Sequence, residues 1–504
     1  MICEFRLEPL FEEMSFVCSG DALDSLKFPI GSTFMYMTYS SEEIKERQMI
    51  FRDFLSDDVF CDKMREAHGQ LKRLRDLARN LGDMRKQTNE EMIYSLMELL
   101  LFIDSTEALD EAYSSAPKLK SERLRNNFVR IRNLTEDVQY RNLKKWLYSL
   151  DHVLRSVKSV TLGVNLDAQL NVSEVGLVSI NDQPYVNDKI LDRVIRDHQP
   201  PKEFTCISTV GIHEDGGIFQ KSVININRGL YNTLNDMFKG TLKNLRKYLT
   251  GEMQEAVLSL LSIEDELEFI LNAVKYVKEL KKYGMPLSWP QVSNKTEIAR
   301  LYNPLLTDKC KAGEIVPSAV GFSDEERIFI LTGPNSGGKT VYITAIGHAQ
   351  IMFQLGLPVC AVSAEMKIYR KLLTHFILPT VKQSESRLVN ETSRMKESLE
   401  KVDQNTLLLL DETFSSTSAY DAMILAQALI RYLSKIGCNA VYVTHLLDLN
   451  GKLCDSHLGV KMLMAAVRNG VRTYEIVQHD GREEISSMAR DIAENSGLGF
   501  LFDE

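Results

Sequence analysis

Changes of hydrophobic period along the chain predict its fold class. The expected architecture is a C-terminal α/β domain on a buried parallel sheet, preceded by an all-helical region carrying a small β-rich insert. In the last 200 residues, RIFILT (327–332), NTLLLLDE (405–412) and CNAVYVT (438–444) are unbroken apolar runs. Such runs mark strands covered on both faces, and helical stretches lie between them. Ahead of them, about 40–157 follows the helical period, and about 159–227 breaks into short β-type runs.

Bulk properties bound the answer. The chain has 504 residues, which at about 150 residues per domain is a soft prior for three or so domains. It is 44% apolar and 26% charged, an ordinary globular mix with ample material for cores. A net charge of −9 excludes a chain that coats nucleic acid by overall charge and directs attention to local patches. Eight cysteines (Cys3, Cys18, Cys61, Cys206, Cys310, Cys360, Cys438 and Cys454) form no CxxC pair or tight Cys/His cluster, so they read as reduced thiols rather than a disulfide framework or zinc site. The opening MICEFRLEPL lacks the pattern of a signal peptide, and no apolar run reaches about 18 residues. These features point to a cytoplasmic chain.

The elements follow in order. Ser40 with Glu43 three residues later is a capping box opening a helix, continued by Ile44, Phe51, Phe54 and Leu55. Residues 61–86 are leucine-spaced and basic. Residues 90–113 are apolar nearly all round, as in a helix buried on most sides. Residues 119–157 alternate basic and apolar positions in helical phase. From Ser159, SVTLGVNL, VGLVSIN, FTCISTVGI and KSVININ read as short strands. The helical period returns at about 230 and stops at Tyr283-Gly284, with Pro286 beyond. Pro286, Pro290 and the polar VSNKTE read as a linker.

The chemistry concentrates in the α/β part. Gly333, Pro334, Asn335, Ser336, Gly337, Gly338, Lys339 and Thr340 fit G-x-x-x-x-G-K-[ST], with a strand run before them and a helix-compatible run after. Glycines let backbone amides close around phosphates, and the helix N-terminus adds partial positive charge. Lys339 would bridge the β and γ phosphates of ATP, and the Thr340 hydroxyl would ligate Mg²⁺. Further on, LLLLD ends in Asp411, followed by Glu412. An Asp at the tip of a buried strand can hold the Mg²⁺ shell beside Thr340, and the adjacent carboxylate can orient and deprotonate the attacking water. CNAVYVT ends at Thr444-His445, placing an imidazole where it could sense the γ-phosphate. The fold class is therefore an α/β P-loop NTPase, which the family resemblance given next implies is of the ABC ATPase type. An ABC transport protein is disfavoured, because SRLVNE stands where a Gly-rich LSGGQ would be.

These residues resemble the MutS family. GPNSGGKT is close to its P-loop, DETFSSTSAYDA (411–422) is similar to its DE-x-GRGTST-x-DG segment, and VTHLLDL (443–449) is similar to its ATH-x-x-[ED]-L segment. Ser386-Arg-Leu-Val-Asn-Glu391 matches its S-x-[apolar]-x-x-E signature, NPLL (303–306) resembles the opening of its ATPase domain, ERQ (46–48) the start of its core and lever helices, and SSMARDIAENSGL its closing helix. The resemblance is strong over about 300–500 and architectural over 40–290.

The resemblance implies a short N-terminal segment (1–40), a helical core and lever (41–158), a β-rich clamp-like insert (159–229), returning lever helices with a linker (230–297) and the ATPase domain (298–504). It implies a homodimeric, ATP- and Mg²⁺-dependent DNA clamp in repair or recombination, with Glu412, Lys339 and His445 catalytic and Ser386 reaching across the dimer to the opposite γ-phosphate. The sequence departs where Phe414-Ser415-Ser416 replaces the family's Gly-Arg-Gly and where Glu385 replaces a Gly. The roughly 40 residues before the lever are fewer than the family's mismatch-reading domain needs, so the expected target is branched DNA rather than a mispaired base. Between Lys118 and Lys158, eleven Lys/Arg stand against four acids, a local basic run suited to phosphate contact. The alternative from another class is an ATP-binding scaffold with slow turnover and protein partners in place of DNA.

Overall fold

The computed structural model describes residues 7, 10–11, 17–18, 36–82, 90–116, 118–156, 158–166, 168–169, 172–184, 186–187, 205–206, 251–376, 387–415, 417–446, 449, 453, 458–468 and 471–479. They fall into two compact units. One comprises 57–119 and 123–268 with the first nine residues; the other comprises 10–56, 120–122 and 269–504. The expected strand at 221–227, the start of the returning helix at 230–250, the closing SSMARDIAENSGL and Ser386 lie outside the described residues.

The first unit is helical with a small β part. Helix α1 (Ser41–Ser56) belongs to the other unit, and α2 (Asp58–Gly82) opens this one. Asp57 separates them by capping α2, its carboxylate accepting from the Phe60 amide at 3.0 Å. Phe60, Met64, Ala67, Leu71 and Leu74 recur every three or four residues and are all buried, the stripe with which α2 packs along α3 (Glu90–Ser115). The helical stretch read over 119–157 is two helices, α4 (Glu122–Glu136) and α5 (Val138–Ser156). Asp137 breaks it, accepting from the amides of Gln139 at 2.8 Å and Tyr140 at 3.1 Å. Glu264, in the helix α6 (Gly251–Lys282), is buried and ion-paired with Arg75 of α2, with His68 Nε2 3.0 Å from its carboxylate. The insert contains an antiparallel hairpin, β2 (Ser159–Leu166) with β3 (Val172–Asn181), and a two-residue pairing of β4 (Val186–Asn187) with β5 (Thr205–Cys206).

The second unit is built on a seven-stranded sheet of order β1-β11-β12-β13-β9-β14-β15. Its strands are β1 (Val17–Cys18), β9 (Ile328–Thr332), β11 (Lys371–His375), β12 (Thr406–Asp411), β13 (Asn439–Val443), β14 (Val460–Arg468) and β15 (Val471–Gln478). All pairings are parallel except β14 with β15. Every residue of β9, β12 and β13 is buried, as the apolar runs predict. One face packs Ile330, Leu408, Leu410 and Tyr442 against Ala426, Ile430 and Leu433 of a helix (Ala419–Ile436) capped by Ser418 and ended by the left-handed Gly437.

A second sheet replaces the expected linker. Residues read as VSNKTE supply parts of β6 (Gln291–Val292) and β7 (Thr296–Leu301), which pair with β8 (Ser318–Phe322) and β10 (Ser363–Met366) in the order β6-β10-β7-β8. The prolines end α6 without leaving the chain free, because Ser293 and Tyr302 amides bond to Met366 and Cys360 carbonyls.

Helix α1 is fastened to this unit by all three residues of ERQ. Glu46 accepts from Ser121 Oγ at 2.7 Å, and Gln48 Nε2 donates to the Pro290 carbonyl at 2.8 Å. Arg47, fully buried, pairs with Glu43 at 2.6 Å and lies 4.4 Å above the Phe11 ring. Its stem closes on Gly356, which has φ +83 and would place a Cβ only 2.4 Å from Arg47 Cβ. Gly356→Ala is therefore expected to destabilise the protein by about 3 kcal/mol, through left-handed strain and overpacking. Gly313→Ala, with nothing within 4 Å of its added methyl, should stay within about 1 kcal/mol of wild type. Chemical denaturation read by circular dichroism distinguishes the two.

Candidate nucleotide site

Sheet register assembles the site. Asp411 of β12 pairs with Val443 of β13, Val443 with Leu331 of β9, and Leu331 with Leu463 of β14. Three parallel strands thus end in one row, and the loops carrying Glu412, His445 and the glycine-rich segment leave from the same edge. In a parallel α/β sheet that edge is where ligands bind.

The loop 333–338 winds from β9 into helix α7 (Lys339–Gln354), with positive φ at Gly333 (126°), Ser336 (60°) and Gly338 (92°). Gly333 and Gly337 lie against β14, where a Cβ on either would come within 3.0 Å of Ala465. The loop therefore needs small residues on both sides of that contact. Lys339 is 4% exposed, and its ammonium donates to the carbonyls of Gly333 and Pro334, each at 2.9 Å. Burial pushes its pKa down, opposed by the charges of Glu412 and Asp411. Asn303 of the NPLL segment clips that segment to α7, donating to the Val341 carbonyl at 3.0 Å and to Thr344 Oγ1 at 2.7 Å.

Thr340 Oγ1 donates to Asp411 Oδ2 at 2.9 Å. Asp411 Oδ1 is buried without a hydrogen-bond partner among the described residues. Burial pushes the Asp411 carboxyl above its ordinary value; the Thr340 hydrogen bond opposes this and the neighbouring Glu412 adds to it. Glu412 has φ 53°, and its Oε1 accepts from His445 Nε2 at 2.5 Å. Phe414, standing where the resemblance places a glycine, has φ 67° and a buried side chain.

Beside the loop lies a cavity of about 500 Å³, lined by Asn335 to Tyr342 and by Glu412. Its far wall is apolar, with Leu301, Tyr302, Ile315 and Ile476, and Tyr474 stands beside Gly338. The structure brings together the residues 333–340, Asp411, Glu412 and His445. Tyr474, Ile476, Ala465 and the apolar wall were not foreseen: β14 and β15 carry no motif, and only the fold sets them against the loop. NPLL was visible as a segment, but not Asn303 as its anchor.

Comparison with known proteins bears on the same residues. Residues 329–490 match the family described as MutS domain V, a stretch holding the glycine-rich loop, Asp411, Glu412 and His445. A DNA mismatch repair protein MutS from Fervidobacterium nodosum is 29% identical over 256 residues, covering 45% of this chain and 31% of the relative. One from Thermosipho melanesiensis is 29% identical over 282 residues, covering 49% and 34%. One from Exiguobacterium sp. is 24% identical over 446 residues, covering 81% and 49%. The chain thus spans about a third to a half of the length of these relatives. With the loop, the acidic strand end and the histidine at one sheet edge inside the matched stretch, residues 329–490 belong to the MutS domain V family.

Proposed function

We propose that the chain is a DNA-binding ATPase of MutS type, a dimeric clamp whose grip on DNA is switched by ATP binding and hydrolysis. The observation that carries the ATPase part is the 2.9 Å contact of Thr340 with Asp411, with Glu412 next in sequence lining the same cavity as the loop. MutS-family proteins are ATPases, and the relatives named above are DNA mismatch repair proteins.

In this reading the loop amides and the N-terminus of α7 receive the phosphates, and Lys339 leaves its two loop carbonyls to contact them. The apolar wall takes the base. Thr340 and Asp411 would hold Mg²⁺: both offer hard oxygen ligands, and Asp411 Oδ1 is a buried oxygen without a hydrogen-bond partner among the described residues. When bound, it would neutralise charge on the phosphates. Glu412 orients a water and takes its proton, and His445 holds the Glu412 carboxylate in place. Ser386, one residue ahead of the helix α8 (Arg387–Leu399), would act across the dimer.

DNA binding rests on the basic run. Lys118, Lys120, Arg125, Arg141 and Lys145 are exposed, whereas Arg132 and Lys144 are ion-paired with Asp110 and Glu107. Six or more phosphate contacts would weaken binding by about 10³-fold or more between ~50 and ~200 mM salt. Cys61, Cys310, Cys360 and Cys438 are free thiols, and no described helix is long and apolar enough to cross a membrane.

Turnover should fall by about 10²–10⁴-fold in Glu412→Ala, the range of a lost general base, with ATP still bound. Lys339→Ala should lose ATP binding itself. Measured with duplex, mismatched and four-way-junction DNA at low and high salt, stimulation by junctions that disappears in Glu412→Ala supports a structure-sensing clamp. Turnover indifferent to every DNA would overturn the clamp in favour of a scaffold.

Asp411→Asn separates stability from activity. The raised folded-state pKa of Asp411 means that its charge costs stability progressively as the pH rises from the unfolded carboxyl's value through the folded one, and in full above it. Without nucleotide, the variant should gain about 1–2 kcal/mol at neutral pH, losing that gain as the pH falls through the carboxylate range. Mg²⁺-dependent turnover should be lost at every pH. Urea melts across pH, paired with phosphate release, read both effects.

A further inference from the structure

The turn that follows β12 is held in an unfavourable shape. Glu412 (φ 53°) and Phe414 (φ 67°) are both left-handed, on either side of the buried Thr413. Each such L-residue is strained and persists only where its surroundings over-determine it. Two bonds come from the strand ends and the turn: the Glu412 amide donates to the Val443 carbonyl at 3.0 Å, and the Ser415 amide to the Glu412 carbonyl at 3.3 Å.

The other restraints come from outside the nucleotide site. Glu391, in the second turn of α8, accepts from the Phe414 amide through its carboxylate Oε1 at 2.7 Å. Its backbone carbonyl lies 3.2 Å from His375 Nε2, and His375 Nδ1 lies 3.2 Å from Thr413 Oγ1. Tyr442 of β13 donates to the Thr413 carbonyl at 3.1 Å. His375 is 2% exposed; burial first, and Arg394 second, hold its pKa below the ordinary value, so the ring is neutral. A carbonyl can only accept, so Nε2 carries the proton and donates to Glu391 O. Nδ1 is then the acceptor for the Thr413 hydroxyl. Glu391 therefore acts on the turn twice, directly at Phe414 and through His375 at Thr413.

We propose that Glu391, assisted by His375, is a positioning residue that fixes Glu412 at the cavity, so that the seating of α8 sets the competence of the hydrolytic centre. This rests on the reading of Glu412 as the base. Losing the 2.7 Å bond would let 412–414 relax toward right-handed geometry and turn the Glu412 carboxylate away from His445 and the loop.

The test compares Glu391→Ala with Glu391→Gln, whose amide oxygen still accepts from the Phe414 amide. Glu391→Ala should lower kcat about tenfold to a hundredfold with the KM for ATP little changed, the size expected of a misplaced group remote from the chemistry. Glu391→Gln should keep most of the activity. Adding Glu391→Ala to Glu412→Ala should cost nothing further, since one residue acts through the other. Hydrogen exchange at the Phe414 amide should accelerate in Glu391→Ala and not in Glu391→Gln.

Should Glu391→Ala fail to fold, Thr413→Val removes the hydroxyl bonded to His375 at constant shape and should show the same selective loss in kcat. Wild-type kcat in Glu391→Ala, an additive loss in the double variant, or unchanged exchange at Phe414 would overturn the inference. Wild-type turnover in Glu412→Ala would instead overturn the reading of the base, leaving the exchange comparison to decide the anchoring.

Discussion

Everything at the nucleotide site depends on the in-register parallel pairing of β12, β13 and β9. Parallel strands point their carboxyl ends to one edge, and the pairing of Asp411, Val443 and Leu331 aligns three of those ends in a row. Neighbouring strands lie about 4.8 Å apart, so the acidic strand and the glycine-rich loop start roughly 10 Å from each other across β13. The loop and the first turn of α7 cross that distance, which brings Thr340 to Asp411. A slip of one residue along β12 would turn the Asp411 side chain to the other face of the sheet and remove it from the site.

That edge is also where the fold holds its unfavourable features. Among the described residues, five non-glycines have positive φ; Ser336, Glu412 and Tyr474 line the cavity, and Phe414 follows Glu412 two residues on. Lys339 and Asp411 are nearly buried charges with pKa values moved toward their neutral forms. An unliganded site of this kind opposes folding, and the apolar layer of β9, β12 and β13 against the helix at 419–436 offsets it. Strain and a buried oxygen without a partner at the same place are what a site preorganised for phosphate and a hard cation requires.

The helical part follows other rules. Local signals set its boundaries: Asp57 and Asp137 cap helices at the points where the period alone would run on. Its assignment to a unit does not follow from the period. Helix α1 has a helical apolar period as α2 does, yet Glu46, Arg47 and Gln48 join it to the nucleotide-binding unit through Ser121, the Gly356 turn and Pro290. The polar segment after α6 reads as a linker because it has prolines and no apolar run. It forms strands because partners far along the chain, at Val359 to Met366, supply its hydrogen bonds.

The sequence by itself determined the buried strands, the helix after the loop, the phosphate-binding motif and the Asp411-Glu412 pair. All of these are encoded over a few residues, by hydrophobic period, by glycine at fixed offsets and by a charge at the end of an apolar run. Only the tertiary structure decided which strand lies between the acid and the loop, that Ala465 forms the back of that loop, and that Glu391 of α8 holds the Phe414 amide. Those contacts join residues tens to more than a hundred positions apart, fixed by strand order and close packing, and neither leaves a periodic trace in the chain.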